Sequence, residues 1–513
     1  MLKIFLIAII VGLFSSPIVF AEESIPDWVK TTAEFWIKGD VSDSEFIDAL
    51  EFLIEQGVLT VPQSENIMQS SSSNNIQNSD RVLFTNVNIF DGKNNKLQQN
   101  MNVLVEGNKI TKISSSTINS NSNTLVIEGN GKTLMPGLID GHVHFAINHN
   151  YGVIENDKTL EDITIRSTLF AKHWLMDGYT TVRDAGGPVF GLKRAIDAGE
   201  VPGPRIFPSG AMISQTSGHG DFRALNDPHP TIEGVRAANW ERMGIVAIAD
   251  GRDEVLTQTR QNLMQGATQI KIMAGGGGSS KYDPIDTCQY TLDEIKAAVE
   301  AASDWNTYVM AHIFLPKCMD RAMDAGVKTF EHAFFIDEPT AKRISEEGVY
   351  LVSQMTGFSP EALNNPLLPS DKLYIIENFV NYQEEYAELV TKYDLKVVHQ
   401  TDAVGEPEDA AKQIRYELYY RGELFGPFEA LKQATSVAGE MMELSGPRNN
   451  YDGKLGVVEE GALADILLVD GNPLEDLSVL GANSKWFDAE TPQEIQTINI
   501  IMKDGVIYKN SLN

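Results

Sequence analysis

Two imidazoles stand two residues apart in Gly137-Leu-Ile-Asp-Gly-His142-Val-His144-Phe145, at the end of an apolar run. On an extended chain, side chains at i and i+2 project to one side, so His142 and His144 can grip a single metal ion. Alone the motif also fits two histidines satisfied in a core or loop, and its downstream partners decide between the readings. Lys271 lies in residues 268–273, His312 closes 308–312, His332 closes 328–332, and Asp402 follows 395–401. Each of these runs is short and rich in β-branched or apolar residues, so all four candidates read as residues at strand ends. Between His312 and His332, residues 316–325 predict one helix with Met319, Ala322 and Met323 on its apolar side and Gly326 as its stop. A strand-helix-strand unit with a histidine ending both strands is how a (β/α)8 barrel gathers ligands at its C-terminal mouth.

With these residues in place, the chain resembles the metal-dependent amidohydrolase superfamily, closest to its imidazolonepropionase-like and Xaa-Pro dipeptidase (prolidase-like) branch. Gly178-Tyr-Thr-Thr-Val-Arg-Asp-Ala-Gly-Gly187, Ser217-Gly-His-Gly-Asp221, Ala434-Thr-Ser-Val-Ala438 and Gly461-Ala-Leu-Ala-Asp-Ile-Leu-Leu-Val-Asp470 carry the resemblance further, over residues 82–508. It implies an α/β fold, a TIM barrel over residues 135–447. It also implies a composite β-sandwich assembled from residues 81–134 and 448–513.

The resemblance implies that His142, His144 and Asp402 hold one divalent metal ion and His312 and His332 a second. Lys271, carboxylated, would bridge them together with a hydroxide. A lysine ammonium would be repelled by two cations, whereas its carbamate offers two anionic oxygens. The other reading of Lys271 is a strand lysine paired to a carboxylate. Zinc suits the imidazole and carboxylate set, and manganese or cobalt are alternatives. Asp402 is also the expected catalytic base and proton shuttle. His219, in Thr216-Ser-Gly-His-Gly-Asp221, is either a substrate contact at the mouth or a histidine capping a loop. Arg183-Asp184 reads as an internal ion pair, and the glycine run 275–278 as a loop admitting close backbone approach to the metals. His149, His173 and His229 fit no ligand spacing, and His399-Gln400 departs from the family's usual glycine before Thr-Asp.

Several elements must surround and position such a site. At 513 residues the chain has room for a barrel and smaller units. Residues 1–21 read as a secretory signal peptide cleaved after Ala21, with an uncleaved anchor as the alternative, so a secreted or extracytoplasmic protein is expected. Residues 22–63 read as a small helical module with Trp28, Phe35 and Trp36 on one turn set and a capping box at Ser42-Asp-Ser-Glu45. It resembles a tryptophan-bearing module of exported archaeal proteins and suits either cell-surface attachment or no ligand at all. Residues 64–80, rich in Ser, Asn and Gln, read as a flexible linker. Short strands are expected in 82–89, 102–105, 109–113, 464–469 and 497–502.

With 41 basic and 71 acidic residues, a net charge of −30 opposes nucleic-acid backbones and anionic membranes. Cys288 and Cys318 are the only cysteines and are expected as free, partly buried thiols. The leading functional expectation is a binuclear amidohydrolase acting on a dipeptide or N-acyl amino acid. A cyclic amide hydrolase and a noncatalytic small-molecule-binding protein are the alternatives, and a homo-oligomer is common in the family.

Overall fold

The computed structural model describes residues 80–512 apart from 236–237, 281 and 365–372. The signal peptide, the helical module and all but the last residue of the linker therefore lie outside the described residues. Alternating apolar residues open the described chain as β1 (Arg81–Ile89), β2 (Gln98–Glu106) and β3 (Lys109–Ser114), an antiparallel meander. β4 (Leu125–Glu128) and β5 (Thr133–Pro136) return parallel to β1.

Parallel strands follow, all wholly buried except at Ile248 of β10, as expected where both faces of a sheet are covered. They are β6 (Leu138–Val143), β7 (Tyr179–Asp184), β8 (Arg205–Pro208), β9 (Met212–Ser214), β10 (Val246–Ile248), β11 (Ile270–Met273), β12 (Val309–Ile313), β13 (Thr329–His332), β14 (Tyr350–Ser353) and β15 (Val397–His399). Parallel pairing runs β6-β7-β8, and then β9-β11-β12-β13-β14-β15 with β10 beside β9. Only Ser209, Gly210 and Ala211 separate β8 from β9. Just beyond β15, the Asp402 N–H donates to the His142 carbonyl at 3.0 Å, bringing the last strand back to the first. Most of these strands are separated by helices, among them Gly251–Gln265, Leu292–Asp304, Pro316–Ala325 and Glu338–Glu347. Mixed α/β sheets in this order fit a TIM-barrel-containing fold.

β16 (Ile466–Val469), β17 (Ile498–Lys503) and β18 (Val506–Asn510) close the chain. β16 pairs antiparallel with β5, so strands from both ends of the described chain join one eight-stranded sheet. Arg205, at the start of β8, ties that sheet to the parallel strands: its guanidinium bonds Asp465 just before β16 and Asp504 in the β17–β18 turn.

The helix foreseen at 316–325 has those bounds, and Gly326 ends it at φ +98°, a left-handed conformation that glycine adopts without a Cβ clash. The free-thiol expectation is corrected. Cys288 and Cys318 form a disulfide, with Cα atoms 5.3 Å apart. The loop after β11 doubles back so that Cys288 bridges Gly275, which sets it against the first turn of the helix bearing Cys318. Nothing in the spacing of 30 residues between them discloses that return.

Candidate metal centre

β6 delivers His142 and His144 with Nε2 atoms 3.1 Å apart. The strand can enter the interior this closely because of Gly141, where a Cβ would press on Val398, Val352 and the His399 carbonyl. Asp140, fully buried, accepts from the N–H groups of His142 and Thr401, the Thr401 hydroxyl and Trp174 Nε1. It thereby ties the histidine strand to the residue before Asp402. Asp402 Oδ1 lies 3.6 Å from His142 Nε2 and 3.5 Å from His144 Nε2. These three residues form a group whose ligand atoms all lie within 4.8 Å of one another.

Lys271 reaches the same point from β11, its Nζ 3.5 Å from His142 Nε2. His312 and His332 arrive from β12 and β13, with ring centroids 4.6 Å apart, and the His332 ring is 5.2 Å from that of His142. His332 and Asp402 both sit in the left-handed region, at φ +69° and +48°. Non-glycine residues held there carry backbone strain of about 1 to 3 kcal/mol, which the surrounding structure must offset.

The hydrogen-bond partners decide which ring nitrogens carry hydrogen. His142 Nδ1 faces Glu331 Oε2 at 2.7 Å, His144 Nδ1 the Gly186 carbonyl at 3.2 Å, and His332 Nδ1 the Gln354 Oε1 at 2.9 Å. All three acceptors require an Nδ1–H, which leaves Nε2 as a lone pair. In His312 the order is reversed: Nε2 faces the Gly276 carbonyl at 3.2 Å, and Nδ1 is buried with no hydrogen-bond partner. Burial, followed by repulsion from Lys271, holds His142 and His332 well below the usual imidazole range and His144 at about 3. Burial does the same for His312, with His219 next in effect.

Four neutral imidazoles therefore surround one region, and the lone pairs of two of them face each other at 3.1 Å. That arrangement is repulsive unless an electron-pair acceptor lies between them, and an unpartnered His312 Nδ1 has the same requirement. The donor set fits divalent metal ions.

Burial lowers the Lys271 ammonium to about 8 and raises the Asp402 carboxyl to about 7, the charge on each opposing the other's shift.

Glu331 is one functional residue that sequence reasoning missed. Fully buried on β13, it accepts from Arg183 Nη2 at 2.8 and 2.9 Å as well as from His142. Arg183 therefore pairs with Glu331 and not with its neighbour, a correction to the expected Arg183–Asp184 pair. Alternation accounts for it: adjacent strand residues face opposite ways. Asp184 accepts instead from the N–H groups of Phe145 and Gly186. A Thr-x-Glu-His run at a strand end was a usable signal, since Glu331 immediately precedes a ligand candidate. Gln354 was missed too. It takes the hydrogen of His332 and also accepts from Gln400, which accounts for an amide at position 400. His399 bonds the Tyr179 hydroxyl at 2.9 Å, away from the centre.

A cavity of about 400 Å³ opens over the centre. Phe314, Phe334, Phe379 and Trp486 give it an apolar wall, while Tyr151, His219, Gln354 and Asp402 supply polar groups. His149 lines its rim beside Glu406, at 3.5 Å. The glycine run meets both the centre, through the Gly276 carbonyl that accepts from His312, and His219, whose ring a Cβ on Gly277 would overlap.

Comparison with known proteins agrees with this geometry. Residues 133–507 match the model of the amidohydrolase family. The chain belongs to that family. It is 31% identical to ochratoxinase of Aspergillus niger over 390 residues, 73% of this chain and 75% of the relative. A prolidase solved in complex with N-methylphosphonate-L-proline superposes with a TM-score of 0.74 at 33% identity, covering 84% of this chain and all of that one. A Xaa-Pro dipeptidase with bound methionine gives 0.70 at 28% identity, with the same coverage. This amidohydrolase is accordingly a hydrolase acting on carbon–nitrogen bonds.

Proposed function

We propose that this amidohydrolase is a binuclear enzyme that hydrolyses the amide bond of a dipeptide or an N-acyl amino acid. The observation that carries the reading is the convergence of imidazole lone pairs whose other nitrogens are all hydrogen-bonded away from the centre. In this reading β6, β7, the β8–β9 pair, β11, β12, β13, β14 and β15 make one closed eight-stranded barrel, and the ligands sit at its C-terminal mouth. His142, His144 and Asp402 would hold one ion and His312 and His332 the other. Lys271, carboxylated when its neutral amine adds to carbon dioxide and loses a proton, would supply anionic oxygens to both. Zinc is the default ion, with manganese or cobalt as substitutes. Bound there, the ions supply Lewis acidity and lower the pKa of water.

The chain's own residues do the rest. Asp402 Oδ takes a proton at the centre and returns it to the departing amine nitrogen. The aromatic wall excludes water and takes an apolar substituent, and His219 contacts the polar end of the substrate. The names of the prolidase, Xaa-Pro dipeptidase and ochratoxinase relatives support the choice of bond. Export is part of the proposal, supported by the apolar run in residues 4–14 and by the disulfide, which persists in oxidising compartments.

The test is metal analysis of the purified chain together with a screen of Xaa-Pro dipeptides, N-acyl amino acids and cyclic amides. Close to two divalent ions per chain, with hydrolysis abolished by chelation and restored by zinc or manganese, is expected. One ion in fully loaded protein overturns the binuclear reading. Turnover of cyclic amides alone overturns the substrate class.

A further inference from the structure

His219 is held by the described residues of one segment, 276–280 and 282–289. Its backbone N–H donates to Gln289 Oε1 at 2.9 Å, and its Nδ1 lies 2.7 Å from Ser280 Oγ and 3.1 Å from Asp283 Oδ2. Asp283 is buried and is itself fixed, accepting from the Gly277 N–H at 2.8 Å and from Gln289 Nε2 at 3.4 Å. The ring stacks on His312 with centroids 3.8 Å apart and planes 11° apart, and it lines the cavity over the centre.

Among the described residues, the segment's β-type pairing is the Gly275–Cys288 bridge. Its anchor is helix Pro316–Ala325, which follows the His312 strand. Lys317 Nζ donates to the Asp286 carbonyl at 3.0 Å, Arg321 Nη1 to the Tyr290 carbonyl at 2.6 Å, and Cys288 is bonded to Cys318. The disulfide is thus the covalent tie between the clamp on His219 and the element that carries the ring beneath it.

We propose that Asp283 is the positioning residue of His219, and that the Cys288–Cys318 disulfide makes this positioning sensitive to redox state. The inference rests on the reading that His219 contacts substrate. A dithiol breaks the S–S bond in a two-electron step: each sulfur takes up one hydrogen, and the reductant closes to its own cyclic disulfide. The hydrogen bonds of Lys317 and Arg321 remain, so the segment loosens without unfolding. None of the proposed metal ligands lies on it, and Gly276, whose carbonyl accepts from His312, stands only three residues beyond β11, so metal is retained.

The experiment uses the metal-loaded full chain with dithiothreitol as the probe. Reduction is expected to lower kcat by roughly three- to tenfold with unchanged metal content, since a displaced contact group costs up to about a hundredfold per ångström. Reoxidation restores the rate. Cys288→Ser/Cys318→Ser reproduces the loss and no longer responds to dithiothreitol. Asp283→Asn lowers kcat in the otherwise unaltered chain but causes no further loss alongside His219→Ala, and Asp283→Glu recovers part of it. Hydrogen exchange in peptides covering 276–289 and 214–221 rises on reduction, a readout independent of turnover. If the chain hydrolyses none of the amides screened, the functional reading falls while hydrogen exchange still decides the clamp. Unchanged exchange with both thiols shown free by alkylation overturns the proposal. So does loss of metal on reduction, or an equal loss from Asp283→Asn with and without His219.

Discussion

The two halves of the centre are built differently. On the side of His142 and His144, the Nδ1 hydrogens go to a carboxylate, Glu331, and to a backbone carbonyl, Gly186. The Glu331 carboxylate is held in turn by the buried Arg183 guanidinium. On the side of His312 and His332, both acceptors are neutral amides: the Gly276 carbonyl, in the glycine-rich loop, and the Gln354 side chain. A carboxylate partner makes the opposite ring nitrogen a stronger donor than a neutral amide does. In the binuclear reading proposed above, the His142 half should therefore hold its ion more tightly, although both halves use buried neutral imidazoles.

The largest expected effect comes from removing what joins the halves. Lys271→Ala should lose at least one ion and nearly all activity, by about a hundredfold or more, because no anionic group then stands between them. Acetate or propionate should restore part of the rate, and small amines should not. Full metal occupancy without rescue would mean that the halves are independent and that Lys271 is an ordinary strand lysine.

Next in size is Glu331→Gln. The swap keeps the shape but leaves the Arg183 guanidinium, at 0% exposure, without its countercharge. Breaking a buried pair in this way costs about 3 to 5 kcal/mol of stability. It should also weaken metal affinity in the His142 half by roughly 10- to 100-fold. Thermal unfolding and metal titration measure the two consequences separately. An unaltered affinity would remove the physical basis for ranking the halves.

The contrast also marks what was legible in the sequence. His142, His144, Lys271, His312, His332 and Asp402 were readable because each lies within or just beyond a short apolar run, and the structure brings all six to one place. Helix 316–325 was readable from its periodicity and its glycine stop. What could not be read was pairing across long separations. Glu331 meets His142 across 189 residues, Gln354 meets His332 from the next strand, and Cys288 meets Cys318 through a loop reversal. Arg183 misled because adjacency in sequence suggested a partner that strand alternation sends the other way.

A chelator titration should resolve the halves directly. With a competitor of moderate affinity the ion of the His312 half should leave first, giving two steps separated by about tenfold or more in apparent affinity. A single cooperative step would show that the bridge couples the halves too tightly for their acceptors to matter.

The smallest effect should follow Gln354→Ala. This change removes the acceptor of the His332 Nδ1–H and of Gln400 but leaves no charge unpaired. A neutral hydrogen bond contributes about 0.5 to 1.5 kcal/mol, so stability should fall by about that much. Affinity should drop only in the weaker half, and by no more than about tenfold, because water entering from the cavity that Gln354 lines can accept the same hydrogen. Glu331 is wholly buried and has no such replacement. The ratio of the two mutational effects thus tests whether the difference between the halves lies in the charge of the acceptor. If Gln354→Ala cost as much affinity as Glu331→Gln, the orientation of the ring, and not the basicity of its nitrogen, would be what the acceptors supply.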